Sequence, residues 1–191
     1  PMIAFWGGVP VQVNVKANDF DLDLEAIAAA ITPRTRAIII NSPNNPTGRI
    51  YPPATLDALG GILRAGSKRI GRAIYLISDE SYNRIVFDGR AFPTPVAYYH
   101  ASLLLYTYGK TLLAPAQRLG YIAISPSIEE RDSLRGALFV STLSIGYGFP
   151  NAVMQYALPD LEKISVDIVA LQRRRDQMYA ELRAMGYELR L

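Results

Sequence analysis

Lys110 lies in Thr107-Tyr108-Gly109-Lys110, directly behind the apolar run Ser102-Leu-Leu-Leu-Tyr-Thr107, and Arg118 follows eight positions on, ahead of Leu119-Gly120-Tyr121. A primary amine in such a small-residue loop can form a Schiff base with a carbonyl compound, and a nearby guanidinium can hold a phosphate in planar, bidentate fashion. Two further polar clusters follow apolar runs in the same way. Residues 36–41 run into Asn41-Ser-Pro-Asn-Asn45-Pro-Thr-Gly48, and residues 73–78 run into Ser78-Asp79-Glu-Ser81-Tyr82. Singly, each has a plainer reading. Asn-Pro-Thr-Gly is good turn chemistry, Asp79 could cap a helix starting at Glu80, Lys110 could be a surface amine, and Arg118 could pair with a carboxylate. The joint order and spacing carry more than any one of them.

The elements that must position these residues follow from the apolar pattern. Residues 36–41, 73–78, 102–107 and 120–125 read as buried strands, and the unbroken run at 37–40 suits a strand covered on both faces. Residues 21–31, 53–65, 128–140, 152–158 and 161–185 read as helices, the last with its stop at Gly186. Strands alternating with helices predict a parallel α/β sheet with right-handed crossovers. Ligands of open sheets of this kind sit at the carboxyl ends of the strands, where the polar clusters fall. Residues 9–15 alternate like a further strand, and Ile85-Val86-Phe87 ahead of Asp88-Gly89 reads as a small hairpin arm. Residues 187–191 read as a strand that opens a new unit. A start on Pro1 and an end in such a strand lead us to expect a chain truncated at both ends.

With 191 residues, half of them hydrophobic, the chain is long enough for one full domain with a sizeable core. A formal charge of +3, thinly spread, provides no electrostatic footprint for nucleic acid or an anionic membrane. Arg173-Arg174-Arg175, followed by Asp176, reads as the solvated face of a helix. The lack of cysteine excludes disulfides, thiolate nucleophiles and sulfur-based zinc sites, and mildly favours a reducing cytoplasm. His100 is the one histidine and would have to serve any Ser-His-Asp triad alone; its place after Tyr98-Tyr99 suits a surface or hydrogen-bonded side chain. No apolar run approaches the roughly 20 residues that span a bilayer, and Pro1-Met2-Ile3 lacks the regions of a signal peptide.

On the Asn45-Pro-Thr-Gly48 turn, the Asp79-Glu-Ser-Tyr82 strand end, and the Lys110 loop with Arg118 and Leu-Gly-Tyr121 behind it, the sequence resembles the fold-type I pyridoxal phosphate enzymes. Within them it is similar to the aspartate aminotransferase-like class I and II aminotransferases, over essentially its whole length. It departs at Thr107 and Gly109, where that family often has serine; threonine keeps a hydroxyl, glycine does not. The resemblance implies a three-layer α/β/α fold with a mostly parallel sheet. Residues 1–170 would belong to the cofactor-binding large domain and 171–191 to the start of a small one.

The resemblance also assigns roles. Lys110 would hold pyridoxal 5'-phosphate as a Schiff base and then carry a proton to and from the substrate α-carbon. Asp79 would pair with the pyridine nitrogen, Asn45 and Tyr82 would donate to the phenolic oxygen, Ser81 would lie against a ring face, and Arg118 and Thr107 would bind the phosphate. The implied reaction is transamination between an α-amino acid and a 2-oxo acid, with Lys110, Asp79 and Tyr82 as its catalytic residues and no metal. A lyase or decarboxylase on the same scaffold would use the same residues, and a non-catalytic sensor domain of a transcription regulator would keep the lysine. The family's glycine-containing phosphate loop, ring-stacking aromatic and carboxylate-binding arginine have no counterpart among the matched residues. The expected assembly is a cytoplasmic homodimer with shared active sites, residues 144–151 approaching the partner.

Overall fold

The computed structural model describes residues 2–189. Helix α1 (Met2–Phe5) precedes an extended stretch, and α2 (Leu24–Ala30) starts where the Asp23 side chain accepts from Ala26 N. This cap supplies one of the acceptors that a helix start lacks, so the helix begins later than Asp21. Strand β1 (Ala37–Asn41) follows, then α3 (Pro53–Ile70), with Pro53 in its first turn and Gly71 closing it at φ 76°. After these come β2 (Tyr75–Asp79), β3 (Ser102–Thr107), the single turn α4 (Tyr108–Thr111) and β4 (Gly120–Ile124). Helices α5 (Arg131–Ser144), α6 (Ala152–Leu161) and α7 (Ile168–Ala184) complete the described chain.

The sheet has the order β1-β2-β3-β4, with β1, β2 and β3 parallel and β4 antiparallel to β3. The mostly parallel sheet agrees with the expectation. The stretch from β3 to β4, residues 108–119, holds only α4 and the 3-10 turn Pro115–Gln117 and is about as short as a parallel crossover can be, whereas residues 80–101 give β3 the longer return that its parallel pairing with β2 needs. Leu56, Leu59 and Leu63 of α3 pack with Ile40, Ile74 and Leu76 in one cluster that also takes in Ile27 of α2. On the opposite face Ile39 and Ile122 are 53% and 47% exposed, so β1 is not covered on both sides among the described residues. As an edge strand it is packed from the α3 side alone.

Four local expectations are corrected. Residues 9–15 form no strand, because neither edge of the sheet receives them; Val9 and Val11 stay exposed and only Val13 packs on the core. Residues 85–87 form a loop rather than a hairpin arm. The helix expected over 161–185 is interrupted at residues 162–167 and restarts at Asp167, whose side chain accepts from Ala170 N. Residues 187–189 have no regular structure, and the rest of the strand expected over 187–191 lies outside the described residues.

Candidate active site

Successive strand ends build the site. The register sets Asn41 beside Asp79, and Asp79 beside Leu105, two residues ahead of Thr107. Asn41 joins the first two ends: its Nδ2 donates to the Asp79 carbonyl at 3.0 Å and its Oδ1 accepts from Asn45 N at 2.7 Å. The next turn is closed by Asn44, whose Oδ1 accepts from Thr47 N and Oγ1 at 3.3 and 2.8 Å, and by Gly48 at φ 72°. Asn45 Nδ2 donates to the Tyr82 hydroxyl at 3.3 Å.

No helix starts at Glu80. Asp79 Oδ1 instead accepts from Ser81 N at 3.1 Å and Ser81 Oγ at 2.6 Å, a local turn that leaves Oδ2 without a protein partner among the described residues. Thr107 caps α4, its Oγ1 accepting from Gly109 N at 3.2 Å and donating to the Leu119 carbonyl at 3.3 Å. Lys110 is exposed, with Nζ 5.5 Å from the Tyr82 ring centroid. Arg118 is exposed at φ 50°, its Nη1 reaching the Pro115 carbonyl at 3.5 Å, and no carboxylate pairs with it among the described residues. Tyr108 N donates to the Leu119 carbonyl at 3.0 Å, which brings the Arg118 backbone alongside Thr107. At Gly109 a Cβ would lie 3.2 Å from Pro115 Cα, so the missing side chain admits that close approach.

Asn45, Tyr82 and Lys110 thus form one connected row, and Asp79 with Ser81 forms a second cluster tied to it through Asn41. The Arg118 guanidinium does not bond Thr107 Oγ1. Three participants escape sequence reasoning. Asn41 could have been found, since it ends a strand directly ahead of the turn. Glu80 is 1% exposed and accepts from Ser78 Oγ at 3.1 Å, Thr94 Oγ1 at 2.6 Å and Asn83 Nδ2 at 3.4 Å. Burial pushes its carboxyl above the ordinary range, against the pull of those hydrogen bonds. The third is Glu162, which accepts from the Tyr108 hydroxyl and from Arg84 Nη2. These two bonds hold its carboxyl below the usual range, while burial and then Glu162 push the Tyr108 phenol up. No spacing signals a contact 54 residues apart.

A cavity of about 580 Å³ lies beside Asn45 and Tyr82, between the Asn44–Gly48 turn, the 85–90 loop and α7. At its wall Arg175 makes paired bonds to Asp88 at 2.9 and 2.7 Å and lies 4.8 Å from the Phe87 ring. The solvated reading of residues 173–175 therefore fails for Arg175, which the 85–90 loop engages.

An α/β protein with amine, carboxylate, amide, hydroxyl and guanidinium groups along the carboxyl edge of a mostly parallel sheet belongs to the class that binds ligands at that edge. This chain is a member of the aminotransferase class I and II family, whose model matches residues 1–190. An aspartate/prephenate aminotransferase of Thermus thermophilus is 33% identical over 97% of this chain and 47% of its own length. Among solved structures, an aminotransferase from Eubacterium rectale superposes with a TM-score of 0.93 at 33% identity, covering 97% of this chain and 47% of that one. An aspartate aminotransferase from Thermus thermophilus with maleate gives 0.75 at 28% identity, covering 98% and 48%. The chain spans about half the length of the curated relatives it matches.

Proposed function

We propose that this chain carries the cofactor-binding half of a pyridoxal phosphate-dependent aminotransferase acting between an α-amino acid and a 2-oxo acid. The observation that carries the reading is the row Asn45–Tyr82–Lys110, with the free Oδ2 of Asp79 one strand end away. The donor set fits the cofactor by its chemistry: an amine for an aldehyde, a carboxylate for a protonated ring nitrogen, an amide and a phenol for a phenolate, a hydroxyl and a guanidinium for a phosphate. When bound, that cofactor supplies an electron sink for the pair left by a departing α-proton.

The chain's own residues do the rest. Lys110 Nζ would hold the cofactor through its aldehyde and, when free, would serve as the base for the proton on the substrate α-carbon. Asp79 Oδ2 would pair with the ring nitrogen, while Ser81 keeps Oδ1 occupied and fixes the carboxylate's orientation. Asn45 and Tyr82 would donate to the phenolic oxygen, and Ser81 would lie against the ring. Thr107 Oγ1 and the Arg118 guanidinium would take the phosphate, for which Thr107 would turn its hydroxyl from the Leu119 carbonyl and Arg118 would leave the Pro115 carbonyl.

Residues 1–170 are then the cofactor-binding domain and 171–191 the start of a second. A homodimer fits the exposed apolar side chains of Phe139, Val140, Tyr147, Phe149, Val153 and Tyr156 along α5, α6 and the link between them. Among the described residues no helix is long and apolar enough to cross a membrane. The relatives' names favour transamination over a lyase or decarboxylase reaction.

Incubation with pyridoxal phosphate followed by borohydride tests the site, because hydride fixes the label on whichever amine holds it. Selective label on Lys110, among Lys16, Lys68, Lys110 and Lys163, is expected; label elsewhere refutes the assignment. For the reaction, stoichiometric conversion of a 2-oxo acid to its amino acid with aspartate as donor is expected, and ammonia or carbon dioxide release without an acceptor would point to a lyase.

A further inference from the structure

We propose that Glu162 is a positioning residue that sets the Lys110 turn against the Tyr82 turn, an inference that rests on the role proposed for Lys110. Helix α4 has only four residues, and one isolated turn does not pay the cost of its own nucleation. Something outside it must hold it. At its start Tyr108 donates its hydroxyl to Glu162 Oε1, and at its end the Thr111 carbonyl accepts from Val166 N at 2.9 Å. The link between α6 and α7 therefore grips both ends of α4 and leaves the Lys110 amine between them without a hydrogen bond among the described residues.

The other oxygen of Glu162 accepts from Arg84 Nη2, and Arg84 stands two residues after Tyr82 in the turn over 81–84. Arg84 also lies 5.4 Å from the Tyr106 ring centroid, and the Tyr106 hydroxyl is paired with Thr111 Oγ1 at 2.8 Å in a buried position. Tyr106, Tyr108 and Tyr121 pack ring against ring at 5.1 to 6.2 Å, which keeps the Tyr108 phenol directed at the carboxylate. One carboxylate thus receives a phenol from the Lys110 turn and a guanidinium from the Tyr82 turn. The 5.5 Å between Lys110 Nζ and the Tyr82 ring is the distance this bridge governs. Neither Tyr108, Arg84 nor Glu162 has a direct role in holding cofactor or substrate in the mechanism above.

The test compares the wild-type chain with E162Q, E162D and R84Q by pyridoxal phosphate labelling and borohydride, reading Lys110 label against Lys16 and Lys68 in the same digest. E162Q keeps an acceptor for Tyr108 but turns a donor toward Arg84, so Lys110 selectivity should fall about fivefold to tenfold, with Lys16 and Lys68 unchanged. E162D should recover part of it. R84Q, at a half-exposed position, should give the same loss and decides the matter if E162Q fails to fold. A second readout is independent of the cofactor: in denaturant melts E162Q and Y108F should cost less together than the sum of their separate costs, because both break the same bond. Selective wild-type label with equal label in folded E162Q or R84Q overturns the positioning role and leaves the proposed function standing. Absence of selective label in the wild type refutes the function instead; the double-mutant cycle then decides, full additivity of E162Q and Y108F overturning the bridge and coupling between them upholding it.

Discussion

The Lys110 amine has the Tyr82 ring beneath it and no carboxylate partner among the described residues, so no ion pair holds it away from a carbonyl compound. A guanidinium cannot replace it, since it neither forms the carbon–nitrogen double bond readily nor gives up a proton near neutral pH. Lys110→Arg should therefore abolish borohydride-stable labelling at position 110 and lower transamination by roughly 10²–10⁴-fold or more, measured by steady-state assay. Arg118 acts differently. Its guanidinium has no carboxylate partner among the described residues and reaches only the Pro115 carbonyl, so Arg118→Gln should leave the lysine chemistry intact and weaken cofactor retention by about tenfold to a hundredfold, the worth of charge-assisted bonds, as measured by cofactor titration. Equal retention by the variant would remove Arg118 from the phosphate site.

At the scale of elements, two glycines decide how closely the parts that carry the site approach. A Cβ on Gly60 of α3 would stand 2.4 Å from the Tyr98 carbonyl, and one on Gly120 of β4 would stand 2.5 Å from the Tyr106 carbonyl. Both obstacles are backbone, so the chain must shift. Gly60→Ala should cost about 1–3 kcal/mol of stability by overpacking, read in denaturant melts, without touching the site. Gly120→Ala should cost a similar amount and also disturb Thr107, its partner across the β3–β4 ladder, so that cofactor retention falls with stability. If Gly120→Ala lost stability alone, Thr107 would not depend on β4 for its position.

Over the whole molecule two carboxylates give the stability curve opposite slopes. The Glu162 value is lowered in the fold, so its contribution is complete above the unfolded value and is lost as pH falls through the folded one. The Glu80 value is raised, so its contribution is complete below the unfolded value and is lost as pH rises through the folded one. Denaturant melts at a series of pH values should show Glu162→Gln flattening the strongly acidic limb and Glu80→Gln flattening the limb just above the ordinary glutamate range. Self-association also belongs to this scale. Phe149→Asp with Tyr156→Lys should shift sedimentation toward monomer if the apolar surface of α5 and α6 is the dimer contact, and unchanged sedimentation would exclude it.

Strands at 37–41, 75–79, 102–107 and 120–124 are legible in the sequence because branched apolar runs bounded by polar clusters have few other stable uses. Asn45, Asp79, Tyr82 and Lys110 are legible because each stands at or just beyond such a run, where the chain turns at one edge of the sheet. Pairing is not legible in that way. The antiparallel direction of β4, the failure of residues 9–15 to join the sheet and the exposure of Ile39 depend on which neighbours are present, and period alone carries no record of neighbours. Likewise the amine, carboxylate, phenol and guanidinium are written in the sequence, whereas the Asn41 link, the buried Glu80 and the Glu162 bridge arise from contacts between distant segments, which only the packed chain brings within hydrogen-bonding reach.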